Sequence, residues 1–300
     1  MNTIAGDNNH HTMSNPGGQS FTDIIPNIIL ILGDDVGYEI PSVDGGESYS
    51  TPNIDMMARN GMRFTQCHAS PLCSPSRFML LTGKYNSRNY FAWGIMDLTQ
   101  KTIADFLKDA GYTTCVTGKW QLDGGAHSIH TFGFNDYAVW DPFQIMGTDN
   151  PTWSRYKDPA VYVDSAFLPP GETAGKYSDD IFMDSLFDFM EKNVNNRFFA
   201  YCAMLLPHGP FVPTPDDPEF STWNAKTGKS DPKFFPSMVA YMDKKVGELI
   251  AKVNELGIAN KTIIIYTGDN GTNNQLSSMF LGRTSRGAKD ALQKREHMCR

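Results

Sequence analysis

The sequence predicts an α/β fold, a mostly parallel central sheet sandwiched by helices, and three observations carry that prediction. Four short runs are near-continuously apolar: 27–32 (NIILIL), 113–117 (TTCVT), 197–205 (RFFAYCAML) and 262–267 (TIIIYT). Strands buried on both faces of a parallel sheet read this way. Segments with helical spacing lie between them, and alternation of strand and helix implies parallel pairing. The first and last runs also end alike, in Gly33-Asp34-Asp35 and Gly268-Asp269-Asn270. Ligands of open α/β sheets bind beyond the carboxyl ends of strands.

The elements follow in order. After the first strand, Phe78 to Leu81 form an apolar, helix-like stretch behind Pro75, whose fixed φ suits a helix start. In 102–110, Ile103, Ala104, Phe106, Leu107 and Ala110 share one face, and Gly111 supplies a stop. The segment 178–194 places Ile181, Phe182, Ser185, Leu186 and Phe189 on one stripe, with Ser178 or Asp179 as the expected cap. The segment 235–256 repeats the pattern through Met238, Tyr241, Met242, Val246, Leu249, Ile250 and Val253, ending at Gly257. Residues 124–176 read as one long loop containing Trp140, Trp153 and Tyr156. Loops of that length are functional or carry small local structure.

Composition excludes several classes. The chain has 300 residues, 40% of them hydrophobic, enough for one large core or two small ones. Its 26 basic and 33 acidic residues leave a net charge of −7, which argues against a nucleic-acid partner. The longest strongly apolar run, 24–32, includes Pro26 and Asn27 and falls far short of the about 20 residues of a spanning helix. Residues 1–22 read as a polar, disordered leader without the pattern of a secretory signal, so the sequence alone points to the cytoplasm. Five scattered cysteines (Cys67, Cys73, Cys115, Cys202, Cys299) do not suggest a disulfide framework.

Chemistry concentrates in three places. Asp34-Asp35 would repel one another unless a cation sat between them, and their hard oxygens suit calcium or magnesium; a turn or helix cap is the alternative. Asp269-Asn270-Gly271 has the same grammar, and two such strand ends favour one shared metal site. Between them, Ser70 to Gly83 reads SPLCSPSRFMLLTG. Here Cys73 lies at a helix N-terminus, where anions are attracted. It is either a low-pKa nucleophile or a buried thiol, and Arg77 lies one turn further on.

Cys73-Ser74-Pro75-Ser76-Arg77 followed by Leu81-Thr82-Gly83 resembles the sulfatase motif C-x-P-S-R-x-x-x-L-T-G. Further landmarks occur in the family's order: Asp34-Asp35, Gly118-Lys119-Trp120, Pro207-His208-Gly209-Pro210, Asp269-Asn270-Gly271 and Arg286-Gly287-Ala288-Lys289. The resemblance implies an alkaline-phosphatase-like fold and hydrolysis of sulfate esters, with sulfated carbohydrate as the broad substrate expectation. It implies that a maturation enzyme oxidises Cys73 to formylglycine. Asp34, Asp35, Asp269 and Asn270, with the modified Cys73, would bind a divalent cation, usually calcium. One hydroxyl of the hydrated aldehyde, braced by Arg77, would attack sulfur, and the second would expel sulfate afterwards. Lys119, His208 and Lys289 would surround the sulfate, and His208 or Lys289 would protonate the departing alcohol.

Two departures stand out. Gln121 occupies a position where the family commonly has histidine; an amide can bind sulfate but cannot titrate. After Lys289 the chain reads D-ALQKREHMCR, unlike the Gly-rich family continuation. The expected organisation is therefore a catalytic domain at 23–290, a divergent tail at 291–300 and no smaller C-terminal domain. Relatives of this kind are often periplasmic or secreted. Two other functions fit the residues: a phosphonate or phosphodiester hydrolase of the same superfamily, and a truncated, non-catalytic anion-binding remnant.

Overall fold

A computed structural model describes residues 25–124, 127–140, 142 and 154–289. The leader at 1–22, the tail at 291–300, Trp153 and Cys299 lie outside the described residues.

The chain begins with β1 (Asn27–Gly33), α1 (Pro52–Asn60), α2 (Cys73–Thr82), α3 (Asn86–Asn89) and a small hairpin, β2 (Tyr90–Ala92) with β3 (Ile95–Met96). Next come α4 (Ile103–Asp109), β4 (Thr113–Lys119), α5 (Ser128–Thr131), β5 (Asp136–Trp140), β6 (Val161–Val163) and β7 (Ala166–Phe167). The remainder is α6 (Pro170–Thr173), α7 (Ser178–Lys192), β8 (Phe198–Ala203), α8 (Phe235–Glu255), β9 (Thr262–Gly268) and a second hairpin, β10 (Ser277–Phe280) with β11 (Arg283–Arg286).

Seven strands form one sheet in the order β7-β6-β5-β4-β8-β1-β9. β5, β4, β8, β1 and β9 run parallel; β6 and β7 are antiparallel additions at one edge. The α/β class and the mostly parallel sheet are as the sequence predicts. Along β1, Ile29 and Ile31 face the layer built by α7 and α8, whereas Leu30 and Leu32 face the layer of Phe78, Leu81, Ala104 and Trp120. Burial on both faces explains the unbroken apolar run, each such side chain contributing about 1.5–3 kcal/mol. No helix among the described residues is long and apolar enough to cross a membrane.

Three expectations need correction. The run 262–267 is not buried on both faces: β9 is the sheet's edge, with Ile263 48% and Ile265 44% exposed. The stretch 124–176 is not one loop, because β5, β6, β7, α5 and α6 fall inside it. Neither Ser178 nor Asp179 caps α7, which starts at Ser178 behind Tyr177 with no side-chain cap. Asp179 instead turns inward, where its carboxylate accepts from the Leu205 amide at 3.3 Å and from the Ser178 hydroxyl at 3.0 Å. Helix α4 does carry a full capping box, Thr102 and Asp105 each accepting the other's backbone N–H.

Candidate functional site

Strand register assembles the site. β1 and β9 pair in parallel with Gly33 opposite Gly268, so Asp34 and Asp269 leave the sheet side by side. Lys119 ends β4, two strands from β1 across β8. The preceding Gly118 has φ 95°, and a Cβ there would lie 1.9 Å from the Ala203 carbonyl oxygen, so only glycine lets β4 approach β8 this closely. Cys73 is the first residue of α2, and Arg77 follows one turn later. Hairpin β10–β11 returns the chain to the site, where the Lys289 amide donates to the Thr272 carbonyl at 3.0 Å. That hairpin, unseen in the sequence, is what brings Lys289 to the site from a polar stretch near the end of the chain.

The side chains converge in a buried, hydrogen-bonded cluster. Lys119 Nζ donates to Asp34 Oδ2 at 2.6 Å. Arg77 donates through Nε and Nη2 to Asp269 Oδ2 at 3.2 and 3.0 Å, and through Nη1 to the Lys119 carbonyl at 3.1 Å. Asp269 Oδ1 accepts from the Asp35 amide at 3.0 Å, and the Asn270 amide donates to Cys73 Sγ at 3.3 Å. Lys289 Nζ lies 2.8 Å from Asp35 Oδ1 and 3.0 Å from His208 Nε2. Candidate ligand atoms of Asp34, Asp35, Cys73 and His208 all lie within 4.8 Å of one another. Three of these four are sequence-expected metal ligands; His208 was expected on the sulfate side. Asp269 differs, since both of its oxygens hold protein donors.

Gln121 is the loosest member. It has φ 47° and accepts the Ser74 hydroxyl through its backbone carbonyl at 3.3 Å, and its buried Oε1 has no hydrogen-bond partner among the described residues.

Electrostatics follow from burial. Burial works to raise the Asp34 pKa, but Lys119 in contact overcomes it and holds this carboxyl well below its usual value. Burial and the Asp34 charge push Asp35 up to about 7. Burial pushes the Cys73 thiol up to about 11, in line with the buried-thiol reading of the unmodified side chain. Burial also holds His208 well below the usual imidazole range. Against burial, Asp35 raises the Lys289 pKa and keeps it an ammonium.

The residues present fit a divalent cation. Asp34 Oδ1 is buried with no hydrogen-bond donor, its cationic contact being Arg77 Nη2 at 3.6 Å. Asp35 beside it, although paired with Lys289, is held up in pKa by burial and by the Asp34 charge. Hard carboxylate oxygens gathered at one buried point, one of them without a hydrogen-bond donor, suit calcium or magnesium.

Sequence reasoning missed three residues around His208. Tyr156 Oη donates to the Leu205 carbonyl at 2.8 Å and also to the His208 carbonyl. Asp179 holds the Leu205 amide from the other side. Arg155 Nη1 rests against His208 Nδ1 and donates to the Gly209 carbonyl at 3.0 Å. All three act across long sequence separations, so no local spacing signals them.

Human arylsulfatase G is 32% identical over 281 residues, covering 82% of this chain and 51% of that protein. Human N-acetylgalactosamine-6-sulfatase is 28% identical over 285 residues, covering 82% and 50%. The crystal structure of Ps i-CgsB in complex with k-i-k-neocarrahexaose superposes with a TM-score of 0.68 at 25% identity, covering 86% of this chain and 62% of that one. The chain thus spans about half the length of the curated relatives it matches. A family model described as sulfatase matches residues 26–291, and the chain belongs to the sulfatase family.

Proposed function

We propose that residues 23–290 form the catalytic domain of a sulfuric ester hydrolase that releases inorganic sulfate from a sulfated carbohydrate. The observation that carries this reading is the convergence of Asp34, Asp35, Cys73 and His208 within 4.8 Å, ringed by Arg77, Lys119 and Lys289. Relatives named arylsulfatase G and N-acetylgalactosamine-6-sulfatase support it, as does a neighbour in complex with k-i-k-neocarrahexaose.

Cys73, converted to formylglycine by a maturation enzyme, would supply the attacking oxygen, and a divalent cation, calcium by family resemblance, would acidify it while held by that residue with Asp34, Asp35, Asp269 and Asn270. The buried thiol's high pKa supports a need for such conversion. Arg77 braces the site by fixing Asp269 and the Lys119 carbonyl. Lys119 and Lys289, each touching one carboxylate, would turn their ammonium groups to sulfate and stabilise charge on its oxygens. Lys289 and His208, in contact through Nζ and Nε2, form the pair from which the departing alcohol takes its proton. Gln121 would donate its amide to a sulfate oxygen.

The test is mass spectrometry of the peptide containing Cys73 after co-expression with a formylglycine-generating enzyme. Conversion of the thiol to the aldehyde is the expected result. A thiol that stays unmodified under conditions that mature a control sulfatase would overturn the assignment.

A further inference from the structure

Beside His208, on the side away from Asp35, lies a cavity of about 210 Å³ lined by Trp140, Arg155, Lys157, Pro210, Val212 and Trp223 among others. We infer that it is a subsite for a second sugar unit carrying an anionic group, next to the sugar whose sulfate ester is cleaved; this rests on the sulfatase reading above.

Three features of the cavity support this. The first is position. His208 meets Lys289 and Asp35 through Nε2 and Arg155 through Nδ1, so its ring stands between the reaction centre and Arg155, which lines the cavity. A sugar whose sulfate lies among Lys119, His208 and Lys289 would extend its next linkage past that ring.

The second is shape. The volume is below the about 300–1,000 Å³ of sites for drug-sized ligands, and suits one ring rather than a chain. Trp223 is partly exposed and offers an apolar ring to the C–H face of a pyranose. It is held in place: Lys157 Nζ donates to the carbonyls of Phe220, Ser221 and Trp223 at 2.8, 3.3 and 2.9 Å. The Trp223 ring packs edge-on against Phe234, and a Cβ on Gly228 would collide with it at 2.4 Å.

The third is charge. Arg155 lies over the Trp140 ring with its guanidinium carbon 4.4 Å from the centroid, which flattens the group against the wall. Its contacts among the described residues use Nη1 alone, and no carboxylate there pairs with it. Among the described residues no Asp or Glu lines the cavity, and Lys157 already holds carbonyls. The remaining N–H groups of Arg155 match a carboxylate or sulfate, which guanidinium binds in bidentate fashion.

The test is calorimetry on the full chain with Cys73 left as thiol, so that nothing turns over, in calcium-containing buffer. The probes are N-acetylgalactosamine 6-sulfate, the same sugar extended by a uronic acid, and the same sugar extended by a neutral hexose. The uronate-extended probe is expected to bind at least tenfold tighter than the monosaccharide, and the neutral extension to gain less. Arg155→Gln removes the uronate's advantage over the hexose, and Trp223→Ala removes the gain from both. Arg155→Lys serves if the glutamine variant has lost the parent's melting temperature. Equal affinity of wild type for all three probes overturns the inference and leaves the sulfate site standing. Failure of the monosaccharide and of inorganic sulfate to bind at all overturns the sulfatase reading, and the subsite with it.

Discussion

Asp179→Asn probes the buried support of the loop that carries His208. The carboxyl is 2% exposed, and burial pushes its pKa from 3.8 up to about 7. The native state therefore holds this proton more tightly than the unfolded chain does. Stability from this group is full below the unfolded value of 3.8, falls as pH rises towards 7 and is level above it. A gap between 3.8 and about 7 corresponds to about 4 kcal/mol at the upper end. Asparagine removes the titration yet keeps an oxygen for the Leu205 amide, and the Ser178 hydroxyl can turn to accept from the new NH2. Urea unfolding of variant and wild type at pH 4.5 and pH 8 reads the effect, and the difference between the two proteins cancels other titrating groups such as Asp35. The variant should be near wild type in stability at pH 4.5 and more stable by up to about 4 kcal/mol at pH 8. A variant-minus-wild-type difference that is the same at both pH values would refute the reasoning.

Other outcomes follow from single contacts. Thr102→Ala, which removes the capping box of α4, should cost about 1 kcal/mol and lower the melting temperature. Gly118→Ala places a Cβ against the Ala203 carbonyl at a positive φ and should destabilise by on the order of 3 kcal/mol, seen as a lower urea midpoint. Arg77→Ala strips Asp269 and Asp34 of their buried guanidinium and should cost about 3–5 kcal/mol, more than replacing an exposed partner; thermal melts compare it with Lys233→Ala, whose pair with Glu219 is exposed.

What the sequence reveals and what it hides divide along physical lines. β1 and β8 are legible because burial on both faces writes itself into a continuous apolar run. β9 carries the same local signal but sits at an edge, and position in the sheet order is a long-range property that composition does not encode. The Cys73–Arg77 and Asp34–Asp35 motifs are legible because their residues are adjacent, as is the strand-end grammar of Asp269-Asn270. Lys289 is marked in the sequence only by the family resemblance, because the short strands β10 and β11 that bring it beside Asp35 carry no sustained apolar pattern. Arg155, Tyr156 and Asp179 leave no trace in local pattern, because each acts on the His208 loop from a distant part of the chain.

Under the proposed function, the cluster at the strand ends is a sulfate-ester site and not a generic anion pocket. The most direct measurement compares rates on an aryl sulfate and on an aryl phosphodiester for the matured chain in calcium, beside Cys73→Ala. Hydrolysis of the sulfate ester is expected to exceed the phosphodiester rate, to need calcium and to be lost in Cys73→Ala. A folded, matured chain that cleaves the phosphodiester faster, or the sulfate equally well without Cys73, would contradict it.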